Sequence, residues 1–210
     1  MKREKFIQSL ATHVPPVKRI YPVWITFLLW ILFSFLTTLL FVWNRSGNFV
    51  FLHIPKYLYE LSFIFFVFAS SAFIAIYTSI PGNRIRDKYL LVPILFLLTW
   101  VISILLRFFI NNPSSTSSDF SYHNCTKDIL LMSLPPATVL IYIINRRLPM
   151  RKNWIGFLII TASASISALG VAFLCANEFP KHLLFAHTIP VILVGLFGIF
   201  LGRLIFKEKF

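Results

Sequence analysis

The chain has 210 residues, 58% of them hydrophobic with 24 phenylalanines and only 13% charged, which is too apolar for a soluble domain of this length. Its formal charge of +13 does not point to nucleic acid, because the basic residues fall in short clusters between apolar runs, as topology signals do. Those runs are near-continuous and do not alternate, which excludes a barrel and leaves an all-α integral membrane protein, since only helices and closed barrels satisfy the backbone within lipid.

Residues 1–22 are polar and basic, with Lys2, Arg3, Lys5, Lys18 and Arg19 against one acid, Glu4. Within them Phe6, Ile7, Leu10 and Ala11 share one helical face, and Pro15 and Pro16 end the pattern. The first span is predicted over 23–43, with Tyr21, Trp24 and Trp43 as interfacial anchors. It is too long for a signal peptide, and no small-residue cleavage pattern follows Asn44. A loop with Arg45, His53 and Lys56 leads to a second span over 57–80 and a turn carrying Arg84, Arg86 and Lys88. The third span covers 90–110, with Arg107 near enough to its end to snorkel to the interface. The Ser- and Asn-rich loop 111–127 reads as a flexible linker.

Spans four (129–144) and five (154–174) form a hairpin flanked by the only two cysteines, Cys125 and Cys175. Each run is about the 20 residues that cross a hydrocarbon core. Two crossings return the chain to the side it left, so both sulfurs are expected at similar depth, where pairing is possible. Pro135 and Pro136 are expected to kink span four, with Ser133 and Thr138 or neighbouring helices making good the lost backbone bonds. Span five is rich in Ala, Ser and Gly from Thr161 to Gly170, which predicts a central, closely packed helix. Span six, over 182–206, carries Gly198 and Gly202, a GxxxG pair suited to contact with span five. Residues 207–210 close the chain.

Alternate connections divide the 20 Lys and Arg residues 15 to 5, which predicts six transmembrane helices in one domain (23–206) with both termini cytoplasmic. The cysteines then face outward, together with His53, His123, His182 and His187 and the acids Glu60, Asp119, Asp128 and Glu178. Taken singly, His53 and His182 read as ordinary loop polarity. Cys125 with His123, and Cys175 with His187, are the better candidates for chemistry. No CxxC or HxxxH spacing marks a preformed zinc site, and a disulfide, two free thiols and a bound metal all stay open. No Gly-rich phosphate loop or nucleophile elbow occurs, so no catalytic residue and no cofactor is expected.

Several segments taken in order resemble the NrsF family of negative regulators of extracytoplasmic-function sigma factors. They are VPPVKR at 14–19, PGNR at 81–84, Cys125 followed by SLPP at 133–136, Arg146 and Arg147 with Pro149, Leu174 with Cys175, and the closing stretch 186–203. The resemblance covers nearly the whole chain. It implies a bacterial inner-membrane anti-sigma factor that holds its sigma factor at the bilayer until envelope, oxidative or heavy-metal stress is sensed. It carries over Cys125 and Cys175 as the periplasmic sensor; His123, His182 and His187, read from the sequence at the same end, are expected as possible auxiliary ligands. The sigma contact is expected from Phe6, Ile7 and Leu10 in a helix-in-groove mode, with the basic turn at Arg146 and Arg147, and no direct contact to nucleic acid. The alternative is a small transporter in which the Pro135–Pro136 kink lines a substrate path.

Overall fold

A computed structural model describes residues 21–47, 58–80, 82, 87–110, 122–147, 149, 151–175, 177 and 179–206. The stripe of Phe6, Ile7 and Leu10, together with His53, Arg84, Arg86, the loop 111–121, Glu178 and residues 207–210, lies outside the described residues. The described residues are helical without strands: α1 (Val23–Ser46), α2 (Leu58–Thr78), a single turn α3 (Asp87–Leu90) running into α4 (Val92–Ile110), α5 (Tyr122–Asn145), α6 (Lys152–Leu174), a short α7 (Pro180–His182), a π-helical segment (Leu183–Thr188) and α8 (Ile189–Ile205). Six helices are long and apolar enough to cross a membrane, the last of them formed by α7, the π segment and α8 together.

The centre of the bundle is α6. Of its span, 78% is buried, against 28% to 44% for the other five. The small side chains from Thr161 to Gly170 cause this, because lipid supplies no hydrophobic drive between helices and close backbone approach must supply packing instead. The GxxxG expectation is met: a Cβ on Gly156 of α6 would collide with the backbone of Gly198 and Gly202 of α8, and one on Gly202 with the Lys152 carbonyl. Around α6 the core divides into two clusters, one built on Trp30, Phe68, Leu140 and Leu158, the other on Val67, Trp100, Ile129 and Val171.

The outer helices turn bare leucine faces to lipid, as at Leu28, Leu32 and Leu36 of α1. The buried side of α1 is a stripe four residues apart: Thr26, Trp30, Ser34, Thr38 and Val42. Gly47 ends the helix in the left-handed conformation (φ 70°), its N–H bonded to the Trp43 carbonyl, a conformation glycine adopts without a Cβ clash.

Pro135 and Pro136 lie inside α5, which continues through them. Ser133 donates to the Leu130 carbonyl (2.8 Å) and Thr138 to the Pro135 carbonyl (2.9 Å). From α1, the Trp30 indole N–H donates to the Pro136 carbonyl at 3.0 Å.

Arg107 does not snorkel to the interface. Only 7% exposed, it turns inward and its Nη1 lies 2.6 Å from Oε1 of Glu60, an ion pair that joins α4 to α2. A charged side chain facing a bundle interior takes an oppositely charged partner there, and Glu60 on another helix supplies it.

Candidate functional site

Cys125 is carried on the first turns of α5, because that helix begins at Tyr122, ahead of the apolar run. Cys175 is the residue at which α6 stops. Its N–H still bonds the Val171 carbonyl at 2.9 Å, but its φ and ψ of −98° and 108° take the chain out of the helix. The two sulfurs lie 3.6 Å apart, as thiols in contact.

The histidines arrive from the third segment. On an α-helix two residues five apart point roughly 140° away from each other. His182 and His187 are five apart, but the π-helical stretch between them stacks i on i+5 and turns both rings toward the sulfurs. Two hydroxyls hold that stretch: Thr188 donates to the Leu183 carbonyl inside it, and Thr126 of α5 donates to the Ala186 carbonyl, each at 3.1 Å. The rings meet edge to face with centroids 5.3 Å apart, and both residues are buried. His182 is thus no ordinary loop residue: its Nε2 sits 3.2 Å from the Cys175 sulfur.

The donor atoms of Cys125, Cys175, His182 and His187 all lie within 4.8 Å of one another. A tetrahedral ion with metal–sulfur bonds of about 2.3 Å and metal–nitrogen bonds of about 2.0 Å has ligand–ligand edges of roughly 3.3–3.8 Å. The sulfur–sulfur separation of 3.6 Å and the sulfur–nitrogen separation of 3.2 Å lie within about 0.3 Å of such edges, while the four donors together span up to 4.8 Å and would close by small side-chain shifts. Nε2 of His187 is buried without a hydrogen-bond partner among the described residues, a polar atom for which no protein partner is supplied. The residues therefore fit a thiophilic cation bound by two thiolates and two imidazoles. The Cys125 thiol, donating to its neighbour, holds Cys175 well below the ordinary thiol range; burial opposes this, and His182 and His187 add to it.

A small cavity adjoins the cluster, lined among others by Cys175, His187, Trp100 and the Glu60–Arg107 pair. Asp128, one turn after Cys125, receives Arg45 Nη2 at 3.1 and 3.2 Å on its two oxygens, fastening α1 to α5 at the same end of the bundle. Sequence reading missed both ion pairs, because each joins two helices and neither has a local signature. His123 belongs to the first turn of α5, and its side chain lies outside the described residues.

At the opposite, basic end, the two arginines of the turn behave differently. Arg146 is exposed and lies over the Tyr142 ring, 4.4 Å from its centroid, while also bonding the phenol oxygen. Arg147 is 6% exposed and points inward: its Nη2 donates to Thr26 Oγ1 at 2.6 Å, and it reaches the carbonyls of Tyr21 and Ile76, each at 3.5 Å.

The family profile of NrsF, described as negative regulator of sigma F, matches residues 10–207. The chain belongs to the NrsF family. Its function is therefore negative regulation of a sigma factor by a multi-pass membrane protein, and its partners are a sigma factor and the lipid bilayer. Comparison with curated proteins and with solved structures gives no match. The NrsF match takes in the whole bundle, so the Cys2His2 cluster and the basic turn lie on one family unit.

Proposed function

We propose that this NrsF protein is an inner-membrane anti-sigma factor that sequesters an extracytoplasmic-function sigma factor and releases it when its cysteine end meets a thiophilic metal ion or a thiol oxidant. The observation that carries the reading is the convergence of Cys125, Cys175, His182 and His187 from α5, the end of α6, α7 and the π segment onto one point at which three of the four are buried. Side chains from three separate segments meet there, and two of them are the chain's only cysteines. The 15 to 5 division of Lys and Arg supports an orientation with both termini and the basic turns in the cytoplasm and the cluster facing the periplasm.

Two chemistries act on the same pair. A soft cation would be held by the two sulfurs as thiolates and by two neutral imidazoles, with release of any proton the sulfurs still carry. An oxidant takes two electrons from the pair, any proton still on sulfur is released, and the sulfur–sulfur bond forms between Cys125 and Cys175. Either event fixes the outer ends of α5 and α6 relative to each other.

On the cytoplasmic side, the stripe of Phe6, Ile7 and Leu10 supplies an apolar face for a groove of the sigma factor, with exposed Arg146 at the adjoining turn. Arg147 serves this surface by anchoring the turn to Thr26 and Tyr21, and not by touching the partner. The test is induction of a sigma-dependent reporter by cadmium or diamide in Cys125→Ser, Cys175→Ser and the double variant. Each is expected to lose induction, the double behaving like either single. Normal induction in both single variants overturns the reading.

A further inference from the structure

The α1 helix is joined to α5 and the α5–α6 turn by directed polar contacts at three depths. At the cysteine end Arg45 binds Asp128, one turn from Cys125. In the middle of the bundle the Trp30 indole N–H donates to the Pro136 carbonyl. At the basic end Thr26 accepts from Arg147. Toward α2 the described side-chain contacts of α1 are of another kind, ring against ring: Trp24 and Phe27 on Phe73, Trp30 and Phe35 on Phe68. A hydrogen bond or an ion pair fixes position more narrowly than apolar packing does. The helix that follows the N-terminal segment is therefore registered by polar contacts against the elements that carry Cys125 and the basic turn, while it meets α2 through aromatic packing and α6 at Thr38 and Gly170.

We propose that α1 transmits the state of the cysteine end to the N-terminal segment, with Trp30 as the positioning residue at its pivot. The inference rests on the sensing reading above and names the element that carries its signal. Trp30 is 1% exposed, and its hydrogen-bond acceptor belongs to the second of two adjacent prolines. Prolines remove backbone bonds from a helix interior, so here the two halves of α5 can change their mutual tilt at low cost.

The displacement is set by the sulfurs. Closing them from 3.6 Å to a disulfide length of ~2.05 Å moves the cysteine end of α5 by at most about 1.5 Å, the case in which Cys175 stays fixed. Asp128 moves with Cys125 and draws Arg45. At 1.5 Å rise per residue, Arg45 stands ~22 Å from Trp30 along α1 and Pro22 ~12 Å on the other side. A lever pivoting at Trp30 then shifts the basic end by at most about 0.8 Å in the opposite sense. Thr26, only ~6 Å from Trp30, shifts by about 0.4 Å, so its bond to Arg147 (2.6 Å) is stretched but kept, while the shift at Pro22 is of the sub-ångström size that a packed two-state interface amplifies.

The experiment compares Trp30→Phe, which keeps an aromatic ring but removes the N–H donor and part of the ring volume, with the wild-type full-length protein in membranes. Diamide is the oxidant, its azo group taking up both protons and both electrons as the Cys125–Cys175 bond forms. Three quantities are read together: protein level, oxidised fraction of the cysteine pair, and reporter induction. Trp30→Phe is expected to match wild type in level, basal repression and oxidised fraction, while induction falls about fivefold. Asp128→Asn is expected to give the same split, and the exchange Arg45→Asp with Asp128→Arg to restore induction. The exchange also decides the matter should Trp30→Phe fail to accumulate. Full induction in Trp30→Phe and Asp128→Asn at wild-type oxidised fraction overturns the proposal. A wild-type protein that oxidises without inducing removes the sensing reading, and the proposal with it.

Discussion

Replacing Glu60 with leucine leaves the Arg107 guanidinium, whose side chain is 9% exposed, without the carboxylate that stands 2.6 Å away. Two unit charges about 3 Å apart attract by ~5 kcal/mol at an effective dielectric constant of about 20. Desolvation of both ions offsets most of that, so the pair as a whole contributes little; removal of one member typically costs ~3–5 kcal/mol because the other charge stays buried. Polar couplings at membrane depth run lower, about 1–2 kcal/mol, because the unfolded chain in lipid also finds partners. The expected cost of Glu60→Leu is therefore about 3 kcal/mol, near a hundredfold in the unfolding equilibrium. Arg107→Leu should cost a similar amount, and the double variant should recover most of it, since an apolar pair of similar volume is near neutral. The assay is a double-mutant cycle in mixed micelles, unfolding followed by tryptophan fluorescence. A double variant that loses the two single costs added together would refute the reasoning, because the charges would then be acting independently.

Three further outcomes are expected. A reporter active only in the periplasm, fused at Phe210, should give no signal, and a strong signal there would reject the cytoplasmic assignment of the termini. Changing Phe6 and Leu10 to serine should raise sigma-dependent transcription without lowering the amount of membrane protein; unchanged repression would move the sigma contact to the turn at Arg146. Gly198→Leu drives a side chain into the Gly156 backbone, and overpacking of this kind should cost ~1–3 kcal/mol in the same micellar unfolding assay; an unchanged midpoint would mean that α6 and α8 do not pack so closely in the membrane.

The six helices were legible because lipid leaves one solution for a run of about 20 apolar residues. The central place of α6 followed from its lack of side-chain bulk, and the similar depth of Cys125 and Cys175 from counting two crossings; their contact at 3.6 Å came from the structure. The four residues of the cluster could be named from the sequence, with His123 beside them, but how they converge was not legible. His182 and His187 are five apart, a spacing that means nothing on an α-helix, and only the π-helical segment makes them a pair. The two arginines of the basic turn are adjacent in sequence, yet Arg146 is exposed and Arg147 is buried against Thr26. That difference depends on where α1 begins, which the turn itself does not encode. Trp30 read as one more apolar residue of the first span, since its bond to Pro136 joins positions far apart in the chain.

The most direct test of a soft-ion and redox sensor is cadmium titration of the reduced, detergent-purified full-length protein, followed by thiolate-to-cadmium charge-transfer absorption. One ion per chain is expected, with the signal at least halved and affinity lost in Cys125→Ser or Cys175→Ser, and affinity weakened by at least about 10- to 100-fold in His187→Ala, since losing a direct ligand costs no less than losing an outer partner. Absent charge-transfer absorption at saturating cadmium, or full binding retained in both cysteine variants, would contradict it.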